Sequence, residues 1–134
     1  MKALIFLGVL VAAILVVALN PHLASDQVIN WAKQNPKDPS APEYLYDTGR
    51  VCQFLTDTDT ATEVYNFLYQ TYPDQSALCA PAMYYCGEMK VDSSYIKVFK
   101  MQALPYLQIV LDQYQDQPDW VAKAQTLINQ VNGK

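Results

Sequence analysis

Two stretches of this chain superimpose at an offset of 42 residues, and that self-similarity restricts the fold more than any other feature. Ala61, Val64, Tyr65, Leu68 and Tyr72 fall over Ala103, Tyr106, Leu107, Val110 and Tyr114, and Asp74 falls over Asp116. Further on, Leu78, Cys79, Ala82 and Cys86 fall over Trp120, Val121, Ala124 and Ile128. Within each copy the apolar residues recur every three or four positions, the period of a helix with one buried face. Each unit reads as an apolar helix ending in tyrosine, a tight aspartate-containing turn, and a second helix whose alanine permits close crossing. A lone helix pair cannot bury its apolar face, whereas a second pair stacked on it does. Hardly any segment alternates with period two, so a sheet is not expected.

Start and stop signals place the remaining helices. Residues 27–34 form a short amphipathic segment, with Val28, Ile29, Trp31 and Ala32 on its apolar side and Ser25 or Asp26 as its cap. Trp31 suits a membrane headgroup region, and the segment equally suits a first packed helix. Residues 35–42 hold three prolines and read as a linker or turn. A helix over residues 43–55 follows, with Gly49 allowing close approach, and the next is capped by Thr58 or Asp59 and stopped by Pro73. Ser76 caps a third helix, whose regular part is expected to start nearer Ala80 because Pro81 lies inside it. Pro105 divides or kinks residues 94–115, and Pro118 opens a last helix through Val131.

The segment from Tyr65 to Gly87, with its Tyr-Pro-Asp-Gln-Ser turn at 72–76 and its Ala82…Gly87 spacing, resembles tetratricopeptide-type repeats. It looks closest to those of membrane-anchored and periplasmic accessory proteins. The resemblance covers about residues 43–131 and makes residues 43–55 the second helix of a partial first repeat. The spacing of 42 departs from the family's 34, which implies about eight inserted residues near 92–100. The second turn also lacks the proline after its tyrosine. The resemblance implies protein–protein docking on a concave face, with no chemistry of its own.

The chain opens with seventeen residues, 3–19, that carry no charge and no side-chain hydrogen-bonding group. At about 1.5 Å per residue they approach the roughly 30 Å hydrocarbon core of a bilayer. The run exceeds the roughly 7–15 residues of a signal-peptide core, and its best small-residue cleavage pattern lies inside it. The expectation is a retained transmembrane anchor, with Gly8 and Ala12 as a small-xxx-small packing contact. With Lys2 the only basic residue before the run, the N-terminus is expected in the cytoplasm and the domain in the periplasm.

Little in the chain carries catalytic chemistry. The formal net charge is −4 and basic residues are scattered, so no nucleic-acid footprint exists. His22 is the only histidine, and the spacing of Cys52, Cys79 and Cys86 matches no zinc or haem motif. Asp57 and Asp59 read as caps rather than a calcium loop. No nucleophile elbow or phosphate-binding glycine loop occurs. Cys79 and Cys86, seven apart on one helix, would be about 10 Å from one another, too far to bridge. A disulfide from Cys52 to either remains open. Ten tyrosines are present, and a period of 3.6 cannot bury all of them. Tyr69, Tyr84 and Tyr85, together with Trp31, are therefore the candidate interface.

These readings combine into an all-α fold: one N-terminal transmembrane helix (1–20), a juxtamembrane segment with a proline-rich linker (21–42), and a tetratricopeptide-like stack of antiparallel helix pairs (43–134). The expected function is a non-catalytic, single-pass accessory subunit of the inner membrane. It would stabilise a larger complex, such as one of electron transport or photosynthesis, or present a periplasmic docking surface to it. The alternative is a stand-alone anchored adaptor in envelope protein assembly. The expected partners are integral membrane subunits and a soluble periplasmic protein, with no nucleic acid and no cofactor.

Overall fold

A computed structural model describes residues 21–93 and 97–133, with the backbone alone for residues 21–24. The helices are α1 (Pro21–Gln34), α2 (Ala41–Phe54), α3 (Thr58–Thr71), α4 (Ser76–Asp92), α5 (Lys97–Lys100), α6 (Leu104–Gln113) and α7 (Pro118–Asn132), with a 3₁₀ turn at Met101–Ala103 between α5 and α6. No strand occurs among the described residues.

The helices pair as α1–α2, α3–α4 and α6–α7, and each pair packs on the next. One turn geometry recurs within the pairs. The Tyr72 amide donates to the Leu68 carbonyl, Gln75 to Tyr72, and Leu78 and Cys79 to Gln75. At the later turn Tyr114 donates to Val110, Gln117 to Tyr114, and Trp120 and Val121 to Gln117. The two tyrosines share a backbone conformation, with φ/ψ of −130°/52° and −121°/44°. A third copy, which the offset of 42 does not reveal, starts at Asn35. Asn35 donates to Trp31, Asp38 to Asn35 and Ala41 to Asp38. Its fourth bond is missing because the residue in that place, Pro42, has no N–H. Of the two settings left open for α1, the structure places it as a first packed helix, against α2 and α3.

The core follows the repeat. Ala61, Tyr65, Leu68 and Ala82 are wholly buried, and so are Ala103, Leu107, Val110 and Ala124 one unit later. Glycines set two of the closest approaches. A Cβ on Gly49 would lie 2.3 Å from Cε1 of Tyr65, and one on Gly87 would lie 2.6 Å from Cδ2 of Leu107. The repeat-related pair Tyr65 and Leu107 thus each press on a glycine of the preceding second helix. The link from α2 to α3 is a Schellman turn: Asp57 donates to Cys52 and Thr56 to Gln53. Thr56 holds its left-handed position at φ 61°, where glycine is usual.

Several expectations change. The single-pass fold is corrected: among the described residues no helix is long and apolar enough to cross a membrane. The run on which that reading rested, with Gly8 and Ala12, lies outside the described residues. The fold is thus an all-α stack of helix pairs, and the anchored, inner-membrane, periplasmic assignment is withdrawn, together with the functions built on it. Helix α4 is regular from Ser76, not from Ala80. Pro81 fits because it forfeits only the bond to Ala77, an exposed residue, while its ring is buried. Of the three capping candidates Asp57, Thr58 and Asp59, it is Asp57 that caps α3, accepting from the Thr60 amide at 3.1 Å.

Candidate functional site

Aromatic side chains from successive second helices meet in a continuous ribbon. Helix α2 contributes Tyr46, α4 contributes Tyr84 and Tyr85, and α7 contributes Trp120, with Tyr65 of α3 beneath them. Ring centroids are 6.0 Å apart for Tyr46–Tyr65, 6.4 Å for Tyr65–Tyr85 and 5.7 Å for Tyr84–Tyr85. Trp120 lies 5.5 Å from both Tyr84 and Tyr85. Adjacent residues point about 100° apart on a helix, so the Tyr84–Tyr85 pair spans the width of α4 and joins its neighbours. Tyr65 is wholly buried, whereas the other four remain partly exposed.

Two cations cover this ribbon. The Arg50 guanidinium carbon sits 4.3 Å from the Tyr85 ring centroid, and the Lys123 ammonium nitrogen 4.1 Å from that of Trp120. Both lie within cation–π range. The phenols are anchored in turn: Tyr65 donates to Gln53 Oε1 at 3.1 Å and Tyr84 to Glu88 Oε2 at 3.0 Å. Burial pushes Tyr84 up to about 12, helped by the Glu88 carboxylate that it hydrogen-bonds. Burial raises Tyr46 and Tyr65 too. All three are neutral donors at physiological pH. Beside Tyr84 an open groove of about 290 Å³ runs between α4 and α7, lined by Lys123, Thr126, Leu127 and Gln130.

Of the four aromatic residues singled out from the sequence, the structure brings only Tyr84 and Tyr85 together. Trp31 meets Tyr44 at 5.4 Å with the rings tilted by 54°, where α1 meets α2. Tyr69 donates to Gln113 Oε1 at 3.1 Å and meets Tyr114 edge-on, so it ties α3 to the end of α6. Tyr46, Arg50, Trp120 and Lys123 were missed, Trp120 having been read as core. Their spacings, Tyr46 to Arg50 at four and Trp120 to Lys123 at three, would have flagged a cation beside an aromatic on one helix face. On the first helices a separate open groove of about 470 Å³ lies between α1 and α3, lined among others by Lys33, Glu63, Asn66 and Phe67.

The three cysteines are free and buried, so the bridge from Cys52 to Cys79 or Cys86 is not formed. Two of the thiols are hydrogen-bonded elsewhere, and the third lies near a carboxylate. Cys79 donates to the Tyr72 carbonyl at 3.3 Å, Cys86 hydrogen-bonds the Thr62 side chain, and Cys52 faces Asp57. Burial raises Cys79 to about 11 and Cys86 to about 12. Among the described residues no group of three or more His, Cys, Asp or Glu side chains is placed to hold a metal. The His22 side chain lies outside the described part. Comparison with protein-family models, with curated proteins and with solved structures returned no match.

Proposed function

We propose that this chain is a non-catalytic docking module of tetratricopeptide-like build, which holds a protein partner along the aromatic ribbon and its adjoining groove. The observation carrying this reading is the ribbon itself: four partly exposed aromatic rings from three second helices, with a guanidinium and an ammonium stationed on them. Tyrosine and tryptophan combine a broad apolar face with a polar edge and lose little rotamer entropy on binding, which is why they dominate interface energetics. Placing them on packed helices pre-organises the surface and lowers the cost of association. Support for a binding rather than a chemical role comes from the titratable groups. The thiols and ribbon phenols with raised pKa values stay protonated, which removes them as nucleophiles or bases near neutral pH.

The test is site-specific photo-crosslinking from Tyr84 on the ribbon and from Asn66 in the α1–α3 groove, followed by affinity measurement with the captured partner. Capture from position 84 is expected, with Trp120→Ala weakening binding at least about tenfold while helicity is unchanged. Capture from position 66 alone would move docking to the first helices. Binding that ignores both Trp120→Ala and Tyr84→Ala would refute the ribbon reading.

A further inference from the structure

Two apolar patches of opposite charge remain uncovered in addition to the ribbon. On α2, Tyr44, Val51 and Phe54 are exposed, Phe54 to 85 %. At 100° per residue these three fall on one face of α2, interleaved with the exposed acids Glu43 and Asp47 and flanked by Arg50, whose guanidinium is turned away onto the Tyr85 ring. The second patch is the inserted segment before α6. Val98 is 69 % exposed, Phe99 and Met101 about half, and Lys97 and Lys100 lie among them. The α2 patch runs the length of that helix from Tyr44, and its Phe54 end is the part that comes near the second patch. Gln53 and Thr56, at the end of α2, line one groove with Glu88, Asp92 and Ser93 at the end of α4, the helix on which α5 packs.

We infer that the occupant of these patches is a second copy of this chain, joined about a two-fold axis that sets α2 of each copy against α5 of the other. The two surfaces are alike in apolar character and opposite in charge, and both are carried by every copy. A two-fold arrangement satisfies both at once and closes without leaving a free patch, as isologous dimers do. Six exposed apolar side chains per chain, doubled by symmetry, each bring on the order of 100 Å², enough for the roughly 1,200 Å² of a stable interface. The lysines meeting Glu43 and Asp47 would set the register and repel parallel alternatives.

Sedimentation of the full chain, read against a charge-reversal series, tests this. The unaltered chain is expected to dimerise reversibly, with Phe54→Asp weakening association at least about tenfold. Reversing Lys97 and Lys100 to glutamate is expected to weaken it likewise, and adding Glu43→Lys with Asp47→Lys to that variant to restore it. Restoration rules out a folding defect as the cause of the loss. A monomer at every accessible concentration overturns the inference, and so does association indifferent to all of these substitutions. The second outcome would place self-association on another part of the chain.

Discussion

The inner pair α3–α4 and the last pair α6–α7 share a sequence pattern, a turn and a set of buried positions, yet they are not equally enclosed. Cys79 and Cys86 on α4 are wholly buried, whereas Val121 and Ile128, their counterparts on α7, stay partly exposed. The cause is position in the stack. Helix α4 packs on α2 and on both α6 and α7, while among the described residues the main packing of α7 is on α4 and α6. The tyrosines that end the first helices differ as well. Tyr114 donates its hydroxyl to the Pro73 carbonyl of the turn before it at 3.0 Å, and Ser76 and Asp116 join the same two turns. Tyr72 comes near Asp38 of the longer first turn, and its buried hydroxyl finds no partner among the described residues. A repeat thus supplies equivalent side chains, and the neighbours decide what each one contributes.

The strongest way to break this comparison is a charge in the inner pair. Leu68→Asp is expected to abolish cooperative unfolding, since an unpaired buried carboxylate costs several kcal/mol against a total stability of about 5–15 kcal/mol. Ala82→Trp should do the same by overpacking. Circular dichroism and melting unchanged by both would end the stacked-pair description. The glycine contacts give the next contrast. Gly49→Ala drives a methyl into the Tyr65 ring, which its hydroxyl bond to Gln53 holds in place. A net loss of about 1–2 kcal/mol is expected, even after the gain of roughly 1 kcal/mol in helix propensity. Gly87→Ala meets the branched end of Leu107, which can rotate away, and should cost less in the same urea titration.

Smaller effects sharpen the distinction between the two tyrosines. Tyr114→Phe should lower stability by about 1 kcal/mol, because it removes a hydroxyl that is bonded. Tyr72→Phe should be neutral or slightly stabilising. Equal losses would show that the turns are not differently stitched. Thr56→Gly should raise the melting temperature modestly, since a left-handed residue with a Cβ costs about 1–2 kcal/mol while glycine returns part of that as unfolded-chain entropy.

The last contrast is nil at neutral pH. Cys79 and Cys86 ordinarily ionise near 9.0 but are held protonated to about 11 and 12. The unfolded chain therefore loses those protons first, and stability falls as pH rises from about 9. Cys86→Val should blunt that alkaline loss, while Ile128→Val at the terminal counterpart should leave it intact.

Legibility followed the range of the interaction. The turns at Tyr72 and Tyr114 were readable because a tyrosine, an aspartate and a helix-starting Ser or Pro act within a few residues. The first turn escaped because Asn35 replaces the tyrosine and prolines mask the pattern, although three of the four backbone bonds are the same. Asp57 was readable as a cap beside Asp59, but Thr58 offers the same chemistry between them, and the choice among the three belongs to the backbone. That either Tyr84 or Tyr85 faces outward was recognisable, since no helix buries two adjacent aromatic residues on one face. Their partners Tyr46 and Trp120 come from helices 38 and 36 residues away, measured from Tyr84, and local pattern carries no trace of that meeting.

By itself the sequence determined the helices, their stops and the repeat-related core, because hydrogen bonding within a helix and the burial of one apolar face depend on spacing along the chain. The tertiary structure alone decided which helices adjoin, and therefore that the aromatics form a ribbon on the second helices and that the thiols stay apart. Those outcomes depend on how whole pairs settle against one another. Ring contacts of 5.5 Å and clearances beside a glycine are set by that packing, not by any local preference.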